Sequence, residues 1–147
     1  MIARILHVFF RLLRPKTLGV RCVVITGDKR VLLVRHTYVP GWYLPGGGVE
    51  RGETIHETAR REVEQETGVK LLGKLSLHGV FCQRPRFPQD HVAVMVPEEF
   101  LIGEHEGSRE IAEVAFYPLD SLPEDMDPGC RRRIAEVRDG KPLAETW

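Results

Sequence analysis

The chain lacks any excess of charge: 21 lysines and arginines stand against 21 aspartates and glutamates in 147 residues. A protein that grips DNA or RNA along its phosphates carries a basic surplus, so the balance argues against general nucleic-acid binding. Cysteine is scarce. Cys22, Cys82 and Cys130 are odd in number and far apart, and no Cys-x-x-Cys or Cys/His spacing occurs. They read as reduced cysteines of a cytoplasmic protein. Long apolar runs are missing too. The stretch Ile5 to Phe10 is interrupted by Arg11 and followed by no small-residue cleavage site. It is too short for a signal-peptide core or a membrane span. With no repeats, low-complexity tracts or linkers, residues 1–147 are expected to form a single domain.

What is present begins with an amphipathic pattern over residues 2–14. Ile2, Ile5, Leu6, Phe9, Phe10, Leu12 and Leu13 share one arc, Arg4, His7, Arg11 and Arg14 gather opposite, and Pro15 stops the helix. Its apolar face suits packing on its own domain, a homodimer contact, or contact with an anionic membrane surface, the last not favoured. Next, Leu18 to Ile25 and Arg30 to His36 read as two strands of a hairpin around Gly27-Asp28-Lys29. Trp42 to Leu44 is a short strand running into the glycine turn Pro45 to Gly48. A helix is expected from the N-cap Thr54, with Glu57 as its capping-box partner and Gly68 as its left-handed C-cap. Strands follow at Lys70 to Phe81, His91 to Val96 and Ile111 to Tyr117, then a turn from Pro118 and a helix from Pro128 to Val137. Strands around one central helix, with other helices near the ends, predict an α/β (α+β) sandwich on a mixed sheet.

The most informative segment is Gly47 to Val69, GGVERGETIHETARREVEQETGV. Glu62 and Glu66 lie one helical turn apart on one face. Two carboxylates so placed repel each other, by ~0.2–0.5 kcal/mol on a bare helix. Mg²⁺ removes that cost, because it prefers carboxylate oxygens, keeps several waters and completes its shell with substrate phosphates.

The same segment resembles the Nudix box, G-x5-E-x7-R-E-U-x-E-E-x-G-U with U a bulky aliphatic, at Gly47, Glu53, Arg61, Glu62, Val63, Glu66, Gly68 and Val69. Gln65 stands where the family usually has the first Glu of its Glu-Glu pair. The resemblance implies a Nudix-type α/β/α sandwich around a mixed sheet. It implies hydrolysis, dependent on Mg²⁺ or Mn²⁺, of the pyrophosphate linkage in a nucleoside diphosphate joined to another moiety, X. Nucleoside triphosphates, ADP-ribose or nucleotide sugars, and dinucleoside polyphosphates are all within that class. An RNA 5′ end is disfavoured by zero net charge, although Arg131 to Arg133 leave it open. The resemblance further implies that Glu62, Glu66 and the Gly47 carbonyl hold the metal, while Glu53 and Arg61 pair to lock the turn against the helix. The family places its catalytic base in the box helix or on a later loop, here Glu66 or Glu110.

Three further residues are candidates for holding substrate. Arg35, at a strand end, is a phosphate contact or a surface arginine. Trp42, with Tyr43, offers a ring to a nucleobase, although strand alternation makes at least one of the two core. Arg84 and Arg86 lie in a loop past the box, where substrate determinants of the family often fall. The amide of Gln65 brings no negative charge, so fewer tightly held ions are expected. It is also the one feature supporting a second reading, a Nudix-fold module that senses nucleotides without turnover.

Overall fold

The computed structural model describes residues 16–141 and 143–147, so the expected helix 2–14 and its roles lie outside the described residues. The elements run β1 (Thr17–Cys22), β2 (Arg30–His36), β3 (Trp42–Tyr43), β4 (Gly46–Gly48), α1 (Ile55–Thr67), β5 (Val69–Gln83), β6 (Phe87–Ile102), β7 (Ile111–Pro118) and α2 (Pro128–Asp139). A four-stranded sheet has the order β4-β1-β6-β5, with β1 and β6 parallel, and a three-stranded antiparallel sheet has the order β3-β2-β7.

Alternation along the strands builds two cores. Val23, Val31, Leu33, Trp42, Val92 and Val94 pack with Cys130 and Ile134 of α2, whereas Val20, Cys22, Leu32, Ala93 and Met95 pack with Ala59 and Val63 of α1. Side chains of period two therefore feed opposite helices, and the layers are helix, sheets, helix. Burial pushes the thiols of Cys22 and Cys130 up to about 12, so neither serves as a nucleophile at neutral pH.

Three expectations are corrected. The hairpin around Gly27-Asp28-Lys29 forms only as a short ladder, with Thr26 N–H donating to the Arg30 carbonyl at 2.8 Å, Leu32 N–H to the Val24 carbonyl at 3.0 Å and Ile25 bridged to Val31, and it does not extend back to β1. The backbone of β1 is taken by β4 and β6 and that of β2 by β3 and β7, so the chain changes sheets between them. Next, β6 is far longer than His91 to Val96 and makes a long hairpin with β5. Pro88 and Pro97 hide its length from the sequence. Both fall outside the Asp90–Met95 stretch that β1 pairs, so no proline sits where β6 is flanked on both sides. Lastly, Gly46–Gly48 is a strand as well as a turn, in register with Gly19, Val20 and Arg21.

Among the described residues no helix is long and apolar enough to cross a membrane.

Candidate active site

The box helix starts and stops as its local chemistry demands. Thr54 Oγ1 accepts the Glu57 N–H at 3.1 Å while Glu57 Oε2 accepts the Thr54 N–H at 2.8 Å. At the far end Gly68 adopts φ 74°, and its N–H reaches the Glu64 carbonyl at 2.9 Å. Burial of Ala59 and Val63 then fixes the helix's rotation, which leaves Arg61, Glu62 and Glu66 facing the β4 glycines.

Arg61 is the clamp of this site. Its Nε and one Nη donate to the two oxygens of Glu53 at 2.6 and 2.9 Å, and its other Nη donates to Glu62 Oε1 at 2.6 Å. Glu53 also accepts from Thr58 Oγ1 at 2.8 Å and from Glu50 N–H at 3.1 Å. The guanidinium of Arg61 first, then these donors, hold the Glu53 carboxyl down from an ordinary 4.5 to about 2. Because the folded value is the lower one, the stability from this pair is present above about 4.5 and is lost as pH falls toward about 2. Glu53→Gln is expected to flatten that part of the melting-temperature profile, which thermal scans at stepped acid pH will show.

The two carboxylates, Glu62 and Glu66, are held differently. Glu62 packs so closely on β4 that a Cβ built on Gly47 would lie 2.5 Å from Glu62 Cδ. Glu66 Oε2 accepts the Gly46 N–H at 3.0 Å, and Glu66 Oε1 lies 3.7 Å from His36 Nε2. Their side chains are 19% and 13% exposed, so both still meet solvent. Each keeps one oxygen without a hydrogen-bond donor among the described residues. No group of three or more His, Cys, Asp or Glu side chains forms a cage among the described residues. Two carboxylates and an adjacent backbone fit Mg²⁺, which draws the rest of its shell from water and phosphate.

Motif spacing misses His36. It is 7% exposed, its Nδ1 is buried without a hydrogen-bond partner, and its ring lies 5.5 Å from that of Tyr43. Alternation in β2, which puts Leu32, Val34 and His36 on one face, is the signal that finds it. Glu110 is exposed, and its carbonyl accepts the Thr37 N–H at 2.8 Å, which brings its segment to the same end of β2. Gln65 is exposed and lines a cavity of about 470 Å³ with Glu64, Gly68 and residues 103–107.

The substrate candidates separate. Arg35 faces the α2 side, ion-paired with Glu113 on β7 and 5.5 Å over the Trp42 ring. Trp42 is core, 4% exposed, with its ring 5.0 Å from that of Tyr117, so it presents no free face to a base. Arg84 and Arg86 are exposed at the tip of the β5–β6 hairpin.

A family model described as the NUDIX domain matches residues 15–137. The chain belongs to the Nudix family. Among its relatives is an ADP-ribose pyrophosphatase of Methanocaldococcus jannaschii, 36% identical over 105 residues, which are 68% of this chain and 61% of that protein. A putative 8-oxo-dGTP diphosphatase of Bacillus subtilis is 30% identical over 130 residues, 84% of this chain and 81% of that protein. The chain spans less than two thirds of some relatives, 41% in a mycobacterial case and 61% in the archaeal one. A crystal structure of a MutT NUDIX hydrolase from Burkholderia pseudomallei superposes with a TM-score of 0.71 at 23% identity, covering 83% of this chain and 98% of that one. At that identity the likeness concerns the fold, which is the Nudix α/β/α sandwich.

Proposed function

We propose that this Nudix protein is a pyrophosphohydrolase that uses Mg²⁺ or Mn²⁺ to split the P–O–P linkage of a nucleoside diphosphate joined to a second moiety. The observation that carries this reading is the packing of the Glu62 and Glu66 carboxylates on the β4 backbone, with Arg61 and Glu53 locking the turn behind them. Glu62, Glu66 and the Gly47 carbonyl would hold the ion, which supplies charge neutralisation and an activated water. The Gly46 N–H orients Glu66, and Arg61 orients Glu62. Glu66 or the exposed Glu110 would take the proton of the attacking water.

The names of the relatives support two classes within this chemistry, ADP-ribose-type compounds and oxidised nucleoside triphosphates. Phosphate and nucleotide release over a panel of both classes, with Mg²⁺ and with excess EDTA, is the test. Turnover is expected for at least one compound and is expected to stop in EDTA. Undiminished turnover in chelator would overturn the metal assignment. A folded protein that binds but cleaves nothing on the panel would instead favour the sensing module.

Gln65→Glu tests the departure from the family pattern. A further carboxylate on this helix, next to Glu64 and Glu66, adds repulsion without metal and one anionic ligand with it. The Mg²⁺ concentration at half-maximal rate is expected to fall, and the melting temperature in chelator to fall with it. An unchanged metal requirement would mean that Gln65 serves only the neighbouring cavity.

A further inference from the structure

Two side chains near His36 have no part in the chemistry above. Tyr38 follows β2 and is 72% exposed, with its ring 5.1 Å from that of His36 and tilted by 44°. The ring thus stands beside His36, whose Nε2 lies 3.7 Å from Glu66 Oε1. Arg21, on β1, is half-buried, donates to the Leu44 carbonyl at 2.9 Å and lies 6.0 Å from the centre of the Tyr43 ring.

Arg21 makes no ion pair among the described residues although it is half-buried, whereas Arg51, Arg84, Arg86, Arg109, Arg131 and Arg132, also without one, are exposed to water. A partly desolvated guanidinium without an anion is unfavourable, and a ligand anion offsets that cost. Its fork geometry suits phosphate, and an exposed tyrosine ring suits the flat face of a base. His36 links them, since both tyrosine rings approach it and it lies against Glu66. Arg35 and Trp42, which the sequence points to for the same two roles, are occupied by Glu113 and by the core.

We propose that Arg21 and Tyr38 form the nucleoside-phosphate subsite, Arg21 contacting a substrate phosphate and Tyr38 stacking on the nucleobase. The proposal rests on reading the Glu62–Glu66 site as a nucleotide site. It assigns the part of the substrate outside the cleaved bond, which the box leaves open.

AMP, GMP and ribose 5-phosphate are suitable probes, because none has an anhydride to cleave and the last has no base. Their binding is measured by calorimetry with Mg²⁺ for the parent, Tyr38→Ala, Tyr38→Phe and Arg21→Met. Tyr38→Ala is expected to weaken AMP or GMP about tenfold and ribose 5-phosphate little, the size of one lost base stack. Tyr38→Phe keeps the ring and is expected to stay within about twofold of the parent. Arg21→Met is expected to weaken all probes that the parent binds. Because Tyr38 is so exposed, its variants are expected to melt with the parent, and the Arg21 variant is read only where melting confirms the fold.

Parental affinity in Tyr38→Ala, equal weakening of ribose 5-phosphate, or no binding of either nucleotide by the parent would each overturn the subsite. If the parent cleaves a panel compound while the Tyr38 result is flat, the subsite falls alone. If binding follows the expected pattern but nothing is cleaved, the hydrolase reading falls and the subsite stands.

Discussion

Glu66→Gln is expected to lower turnover by ~10²–10³-fold or more, the usual cost of removing part of a charge clamp from a phosphoryl-transfer site. Folding is expected to survive. Glutamine is nearly isosteric, and its amide oxygen can still accept the Gly46 N–H that now meets Glu66 Oε2 at 3.0 Å. The surroundings agree, since the side chain is 13% exposed and meets solvent instead of filling a core. What the substitution removes is negative charge at the point where a cation is expected. Thermal melting and turnover measured on one preparation separate the two effects. A collapse in melting temperature with full turnover in the folded fraction would make Glu66 structural and sink the mechanism.

The two glycines that face the box helix are expected to fail in opposite ways when replaced by alanine. A Cβ on Gly46 would stand 1.9 Å from the Val20 carbonyl oxygen, a backbone atom held in the middle of the β1 ladder. Neither side can retreat without breaking strand pairing. Gly46→Ala is therefore expected to cost more than the ~1–3 kcal/mol of ordinary overpacking, a large share of a ~5–15 kcal/mol total. Little folded protein should accumulate. At Gly47 the new Cβ would instead meet the Glu62 carboxylate, with Cδ at 2.5 Å, at the end of a side chain that can swing away. Gly47→Ala is expected to fold and to lose ~10²-fold in rate, because an ångström-scale displacement of a positioning group is enough for that. Expression yield, melting temperature and turnover of the pair give the comparison. Equal melting temperatures for the two variants would refute it.

The box helix was legible residue by residue. Thr54, Glu57 and Gly68 sit where capping chemistry places them, and Ala59 and Val63 turn inward as their period requires. Those signals are local, each written within a few residues, so no knowledge of the rest of the chain is needed to read them. The pairing of Arg61 with Glu53 was implied by the resemblance to the Nudix box. Strand partners were not. Nothing near Gly27 tells β1 to pair with Gly46–Gly48 and Asp90–Met95 instead of with β2, because ladder hydrogen bonds are made by backbone that is alike at every position. Pro97 likewise reads as a strand end, until β6 is seen to be flanked on only one side there.

The same division runs through the site. The sequence by itself determined the acidic helix face, the glycines opposite it and the family to which they belong, since all of these lie within Gly47–Val69. Only the tertiary structure decided that Trp42 is core, that Arg35 is paired with Glu113, and that His36 lies against Glu66 with Tyr38 and Tyr43 around its ring and Arg21 beside Tyr43. Those residues come from β1, β2 and the segments after β2, and sheet pairing with helix packing, not sequence distance, sets what lies next to a carboxylate.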